Sequence, residues 1–385
     1  MAEKGVTSVG IDFCEEMLVE ARRRVPTGIF RRMDMQQLAY PRAAFAGLWV
    51  CASFHFLPRE AALPTLKGFA RILQSGGILC LSVELEERTG GDVSRSDDGG
   101  IYRQRYTVDE LMGLLRDAGF RRLRQESSPS CKSTVGPPRV KMWLTVFAQN
   151  TGTSHLPGET TDEPRCSLCL EGNQDNYKAI GSHKSASILW GDDRLFVMPD
   201  IAPLAEGHLL IVSTSHLRSF GAFPAAAPSC LEATKRAVRD LLKQAYGKPT
   251  IFFEHGSARP GEAGACVDHA HLHCLPCSVP LKDILDRRLG PGIRTDLASL
   301  RHMYQAAQSY LYLEEGPGDQ WAYPVDVLPC QFHRRALAEL IGDIDWDWRR
   351  TRSSPETRTR FLRTLEQLLP LADDYIRQDT IWNGR

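Results

Sequence analysis

The chain has 385 residues, 42% apolar and 24% charged, the composition of a globular protein of two or three domains. Lys plus Arg and Asp plus Glu each number 47, so the basic excess of a typical nucleic-acid-binding surface is absent. No apolar run approaches the roughly 18 residues of a membrane span, and the N-terminus lacks the basic-then-apolar layout of an export signal. A cytoplasmic protein without a nucleic-acid or membrane partner is expected. Residues 1–150 alternate strand-like and helix-like segments. Strands are expected at "VTSVGID" (6–12), "IFRRMD" (29–34), "GLWVCAS" (47–53), "GILCLSV" (77–83) and "KMWLTVFAQ" (141–149). Helices are expected at 14–25, 59–73 and 106–120, the last capped by Thr107 and stopped at Gly119. This alternation predicts a mostly parallel α/β sheet covered by helices on both faces.

Residues 151–165, rich in Thr, Gly and Pro, read as a linker. Beyond it, 166–287 reads as an α+β domain with an antiparallel sheet. Strands are expected in "ILWGDDRLFVMP", "HLLIVSTSH", "PTIFFEHG" and "CVDHAHLHCLP", and an amphipathic helix at 229–247. Residues 288–385 read as a helical C-terminal extension. In a reducing compartment the 11 cysteines are expected to be free thiols or metal ligands, not a disulfide framework.

"VTSVGIDFCEEMLVEAR", "MDMQQLAYP", "FAGLWVCASFHFLP" and "ARILQSGGILCLSV" resemble, in order and spacing, the class I S-adenosylmethionine-dependent methyltransferases. The resemblance implies a Rossmann-like fold over residues 1–150. It places Asp12 where the family binds the cofactor's ribose and Asp34 beside its adenine. The chain departs from the pattern in two places. The family's first strand and glycine-rich turn would precede residue 1, and Ala46 stands where an acidic residue is usual. A degenerate S-adenosylmethionine site is therefore expected, with a sheet that lacks its central strand.

The densest chemistry lies in "CVDHAHLHCLP". Side chains alternate faces along a strand, so His269, His271 and His273 are expected on one face, roughly 6–7 Å apart in succession. Ala270, Leu272 and Cys274 then face a core. Three imidazoles on one face suit a metal site or nucleophilic attack on phosphorus. Cys166 and Cys169 form a separate C-x-x-C pair.

His-x-His-x-His followed by two apolar residues resembles the signature of the histidine triad superfamily of nucleotide hydrolases and transferases. The flanking "DDRLFVMPDIAPLAEGHLLIVSTSHL", "FFEHGS" and "GACVDHAHLH" agree with it. The resemblance implies that His271 is a nucleophile forming a nucleotidyl-histidine intermediate, that His273 contacts phosphate oxygens, and that His208 supports them. It places Asp200 on the ribose and Ile201 against the base. As in some bacterial members, Cys166, Cys169, His216 and His269 would hold a structural zinc. Ala265 and Cys266 replace residues that help the leaving group, and Glu254 stands where many members place an asparagine near the phosphate. His255, His333 and Arg335 are candidates to compensate for that carboxylate. "PCQFHRRALAELIG" and "DIDWDWRR" resemble the C-terminal extension of one branch of the superfamily, which implies that Gln331 and Arg334 reach the site; Cys330 replaces a serine there.

The leading expectation is a nucleotide phosphohydrolase or nucleotidyltransferase fused to a degenerate methyltransferase domain, acting on a nucleotide or nucleotide conjugate. Two alternatives are a small-molecule methyltransferase with a nucleotide-binding module, and a zinc-stabilised nucleotide-binding protein without turnover. Many triad proteins pair, so a homodimer is a further expectation.

Overall fold

The computed structural model describes residues 6–85, 103–130, 141–152, 166–170, 175, 177, 182, 184–224, 228–342 and 345–378. Most of the expected linker lies outside them. The chain divides into two compact units. One comprises Met1–Met33, Ala39–Pro41 and Gly158–Arg385, the other Asp34–Leu38 and Arg42–Pro157.

The first unit opens with β1 (Val9–Asp12), α1 (Glu15–Arg24) and β2 (Ile29–Arg32), the two strands pairing in parallel. Glu15 and Glu16 begin α1 and Arg22, Arg23 and Arg24 end it, each sign opposing the helix dipole. Arg31 on β2 is 1% exposed. Its guanidinium donates to Asp373 Oδ1 at 2.5 and 2.9 Å and to the carbonyls of Ile188 and Leu189 at 2.9 and 2.6 Å. Asp373 Oδ2 accepts the Arg32 backbone N–H at 3.1 Å. A buried guanidinium is tolerated only when so paired, and this pairing fixes the N-terminal segment within the first unit.

The second unit holds β3 (Phe45–Cys51), α2 (Arg59–Ile72), β4 (Leu73–Glu84), α3 (Val108–Asp117), β5 (Phe120–Ser130) and β6 (Lys141–Asn150). Thr107 Oγ1 accepts the Glu110 N–H at 3.2 Å to start α3, and Gly119 ends the turn that follows at φ 86°. The strand order is β3-β4-β6-β5. Only the β3–β4 pair is parallel, with α2 as the crossover that a parallel pair requires. The expected mostly parallel sheet is thus corrected: β1–β2 and β3–β6 are separate sheets, and the larger is mixed. Phe54, Leu66, Phe69, Leu81, Leu111 and Val146 belong to its core. Trp49, on the outermost strand β3, is 61% exposed.

The rest of the first unit runs β7 (Trp190–Gly191), β8 (Leu195–Pro199), β9 (Leu209–Ser213), α4 (Pro228–Tyr246), β10 (Thr250–Gly256), β11 (His271–Pro276), α5 (Leu281–Leu289), β12 (Ile293–Arg294), α6 (Leu297–Gln305), β13 (Tyr310–Glu314), β14 (Gln320–Pro324), α7 (Phe332–Ile341), α8 (Trp348–Thr351) and α9 (Pro355–Arg377). Its eight strands form one antiparallel sheet in the order β12-β14-β13-β10-β11-β9-β8-β7. The expected helical extension is corrected here. Residues 288–385 add three strands, β12, β14 and β13, on the β10 side of the sheet, with α6 between β12 and β13, and then continue as α7, α8 and α9. Strands β8, β9, β10 and β13 are buried throughout, because the sheet is covered on both faces. On one face Ile251 and Phe253 pack with Leu285 of α5 and Leu337 of α7. On the other, Lys235 of α4 is paired with Glu314 and bonded to the Tyr312 hydroxyl at 3.1 Å. Among the described residues no helix is long and apolar enough to cross a membrane.

Candidate functional site

Period-two alternation decides what reaches the cleft. Phe253 pairs with His273 across β10 and β11, so the two share a face, with His255 two residues on. A cleft of about 630 Å³ opens on that face, lined among others by Asp200, Ile201, His271, His273, Gln331 and Arg334. Strand β11 begins at His271, so His269 precedes the ladder and the expectation of all three histidines on one strand is corrected. The Ala270 N–H bonds instead to the Leu217 carbonyl, and His269 faces a different cluster.

Backbone groups fix the imidazole tautomers, because a carbonyl only accepts and an amide N–H only donates. His271 Nδ1 lies 2.6 Å from the His269 carbonyl oxygen. That nitrogen therefore carries the proton, leaving the Nε2 lone pair free. The Leu204 N–H donates to His208 Nδ1 at 3.2 Å, so His208 is protonated on Nε2 and donates to His273 Nδ1 at 3.0 Å. His273 is then a donor through Nε2. Its ring stacks on Phe253 at 4.5 Å between centroids, and lies 5.0 Å from the His271 ring. Burial keeps these rings neutral: it lowers His271, takes His208 down to about 4 and holds His273 well below the usual imidazole range.

Asp200 and Arg334 are both buried, and both are spent on the protein. Asp200 Oδ1 accepts the Ala202 N–H at 2.7 Å, and Oδ2 accepts from Arg334 Nη1 at 3.1 Å. Arg334 also donates to the carbonyls of Ala202 at 2.6 Å and Trp346 at 3.1 Å. Burial opposes the Asp200 charge, but the Arg334 guanidinium outweighs it and holds the carboxyl well below the usual range. Gln331 bonds one turn through both ends of its amide: Nε2 donates to Asp347 Oδ1 and Oε1 accepts the Trp348 N–H, both at 2.9 Å.

Beside the cleft, Cys166, Cys169, His216 and His269 place one ligand atom each within 4.8 Å of one another. His269 Nε2 donates to the Ser213 carbonyl at 2.8 Å, which leaves Nδ1 facing Cys166 and Cys169 Sγ at 3.4 and 3.5 Å. A neutral imidazole whose other nitrogen is bonded to a carbonyl is the form that binds metal. His216 Nδ1 is 3.2 Å from Cys169 Sγ. Hydrogen bonding from Cys169 and the imidazoles holds the Cys166 thiol well below its ordinary range, as a thiolate ligand requires. Two sulfurs and two nitrogens at this spacing fit a tetrahedral metal.

Asp12 and Asp34 fall in different units, and each caps its own turn. Asp12 Oδ1 accepts the Cys14 N–H at 2.8 Å and Asp34 Oδ1 the Gln36 N–H at 2.9 Å. Glu254 departs from its expected place near a phosphate. Alternation turns it to the opposite face, toward Leu272 and Tyr312. There it accepts the Phe220 N–H at 2.7 Å and the Tyr310 hydroxyl at 3.0 Å; His255 takes the cleft side. The reading of every cysteine as a free thiol or ligand is also corrected. Cys266 and Cys330 form a disulfide, Cα atoms 5.9 Å apart, held together by the Gln331 N–H on the Gly264 carbonyl at 2.9 Å. Sequence reasoning missed Leu168, Tyr177 and Trp348, which also line the cleft. Only "DWDWRR" carried a signal, as tryptophans beside a suspected site.

Residues 1–77 match a family model described as a methyltransferase domain. Residues 156–286 match one described as a protein similar to the CwfJ C-terminal region. An uncharacterized HIT-like protein of Methanocaldococcus jannaschii is 27% identical over 100 residues, 26% of this chain and 74% of the relative. Among solved structures, a SAM-dependent methyltransferase of Methanosarcina mazei is 18% identical with TM-score 0.32, covering 37% of this chain and 81% of that one. The 1,6-didemethyltoxoflavin-N1-methyltransferase of Burkholderia thailandensis is 23% identical with TM-score 0.32, covering 39% and 64%.

Burial pushes Glu254 from an ordinary 4.5 up to about 7. The folded chain keeps this proton over a window in which the unfolded chain has lost it. Its contribution to stability is therefore full below pH 4.5 and is lost as pH rises through 7. Glu254→Gln removes the titration. In urea unfolding, the variant should gain on wild type steadily between these pH values. Parallel pH profiles for the two proteins would contradict this assignment.

Proposed function

The chain joins a methyltransferase-like segment to a HIT-like domain, and we propose that the HIT-like domain is a nucleotide phosphohydrolase or nucleotidyltransferase. The observation that carries this reading is the His271 ring, whose Nδ1–H is held by the His269 carbonyl while Nε2 keeps its lone pair at a cleft. In the proposed reaction that lone pair attacks the α-phosphorus of a nucleotide conjugate. The N–P bond forms as the bond from phosphorus to the leaving group breaks, and the leaving group departs with the electron pair and takes a proton. Water, or another hydroxyl acceptor, then attacks phosphorus. The P–N bond breaks, its electron pair returns to Nε2, and the acceptor's proton passes to solvent. His273 donates Nε2–H to a phosphate oxygen, and His208 keeps that donor in the required tautomer. A neutral imidazole suits attack, because its lone pair is available without prior deprotonation.

Cys166, Cys169, His216 and His269 would hold zinc in a structural role. A bound ion there would tie the C-x-x-C segment to the residues just before β11 and so brace the carbonyl that orients His271. His269 thus serves structure and His271 chemistry. Asp12 and Asp34 are the residues that the methyltransferase resemblance assigns to S-adenosylmethionine. In this reading they take no part in the phosphorus chemistry.

Two measurements test the proposal. Wild-type protein incubated with adenosine 5′-phosphoramidate should release AMP, and His271→Ala should lower that rate at least about a thousandfold. A His271→Ala protein with undiminished release would overturn the assignment. Elemental analysis should find about one zinc per wild-type chain and far less in Cys169→Ser. Equal zinc in both would remove the metal from the account.

A further inference from the structure

The cleft carries one aromatic surface that the proposed chemistry does not use. Among the described residues that line it, Tyr177 is 1% exposed, so its ring is committed to the core. Trp348 is only half-buried, and its indole lines the same cleft as His271, Asp200 and Ile201. This residue arrives from far along the chain, on the single turn α8. Its position is nevertheless closely determined.

Gln331 grips the turn from both sides. It accepts the Trp348 N–H and donates to Asp347 Oδ1, and the same Asp347 oxygen caps the turn through the Arg349 N–H at 3.0 Å. One helical turn later, Arg334 donates to the Trp346 carbonyl while also holding Asp200. Gln331 is 3% exposed and adopts φ 63°, a left-handed backbone that a non-glycine residue seldom takes. Such strain persists where the surroundings demand it, and here it aims both amide atoms at the tryptophan turn. The guanidiniums of Arg349 and Arg352 stand over the indole, 5.8 and 5.6 Å from its centroid, cation–π contacts that help to hold the ring in place.

We infer that Trp348 is the stacking surface for the base of the bound nucleotide, and that Gln331 is the residue that positions it. This rests on the reading of the cleft as a nucleotide site. Leu168, Ile201 and Leu210 supply apolar lining in the same cleft. Stacking is tolerant of base identity. The site should therefore accept nucleotides broadly rather than read one base.

Calorimetric titration with AMP tests the inference apart from turnover. Wild type should bind AMP, Trp348→Ala should bind it about 5- to 100-fold more weakly, and Trp348→Phe should stay within about threefold of wild type, since any aromatic ring can stack. Gln331→Ala should weaken AMP binding less than Trp348→Ala does. Ribose 5-phosphate, which has no base, should bind wild type and Trp348→Ala alike or escape detection with both. Equal AMP affinity in wild type and Trp348→Ala would overturn the inference, as would an equal loss in Trp348→Ala and Trp348→Phe. Both results leave the nucleotide reading standing. Failure of wild type to bind AMP at all would overturn that reading, and this inference with it.

Discussion

A 2.6 Å contact between His271 Nδ1 and the carbonyl of the residue two positions earlier sets the chemistry proposed for this protein. The carbonyl can only accept, so it dictates where the imidazole keeps its proton and which nitrogen offers a lone pair. That carbonyl belongs to His269, whose own side chain is held by Ser213 and faces two cysteine sulfurs. A second chain of fixed donors runs from the Leu204 amide through His208 to His273. The proposed nucleophile and phosphate donor are thus prepared by backbone groups, and burial keeps both rings neutral.

Around these rings the first unit is tied together by buried ion pairs between segments distant in sequence. Asp200 meets Arg334 next to the cleft, Lys235 meets Glu314 across the sheet from it, and Arg31 meets Asp373 near the C-terminus. Pairs of this kind are costly to desolvate and add little net stability, but losing one partner leaves a buried charge. Their consequence is specificity of arrangement. The Asp200–Arg334 pair joins α7 to the residues after β8, and the turn carrying Trp348 follows α7.

Much of this was legible where local rules suffice. The Thr107 cap, the helix 229–247 and the central strands follow from capping and periodicity. His271 and His273 on one face follow from a period of two. The same rule, applied to β10, would have sent Glu254 to the far face with Tyr312 and brought His255 to the cleft; the family comparison drew attention to the wrong neighbour. Strand β5 was missed because "RRLRQESSPS" is polar, as a strand at the end of a sheet can be. Strand β13 was missed because "YLYLE" is buried on both faces and shows no clean alternation. The Arg31–Asp373 and Asp200–Arg334 pairs and the Cys266–Cys330 disulfide join residues that no local pattern relates. The role of Gln331 could not be read either, since it depends on a turn sixteen residues away.

The central claim is that His271 Nε2 bonds to phosphorus. The direct test is to mix the protein with adenosine 5′-phosphoramidate, quench during turnover into alkaline denaturant, which preserves a phosphorus–nitrogen bond, and locate any adenylyl group by peptide mass spectrometry. The account predicts the adduct on the peptide containing His271, rising and falling with turnover and absent from His271→Ala. AMP release without an adduct at any time, or an adduct confined to another residue, would contradict it.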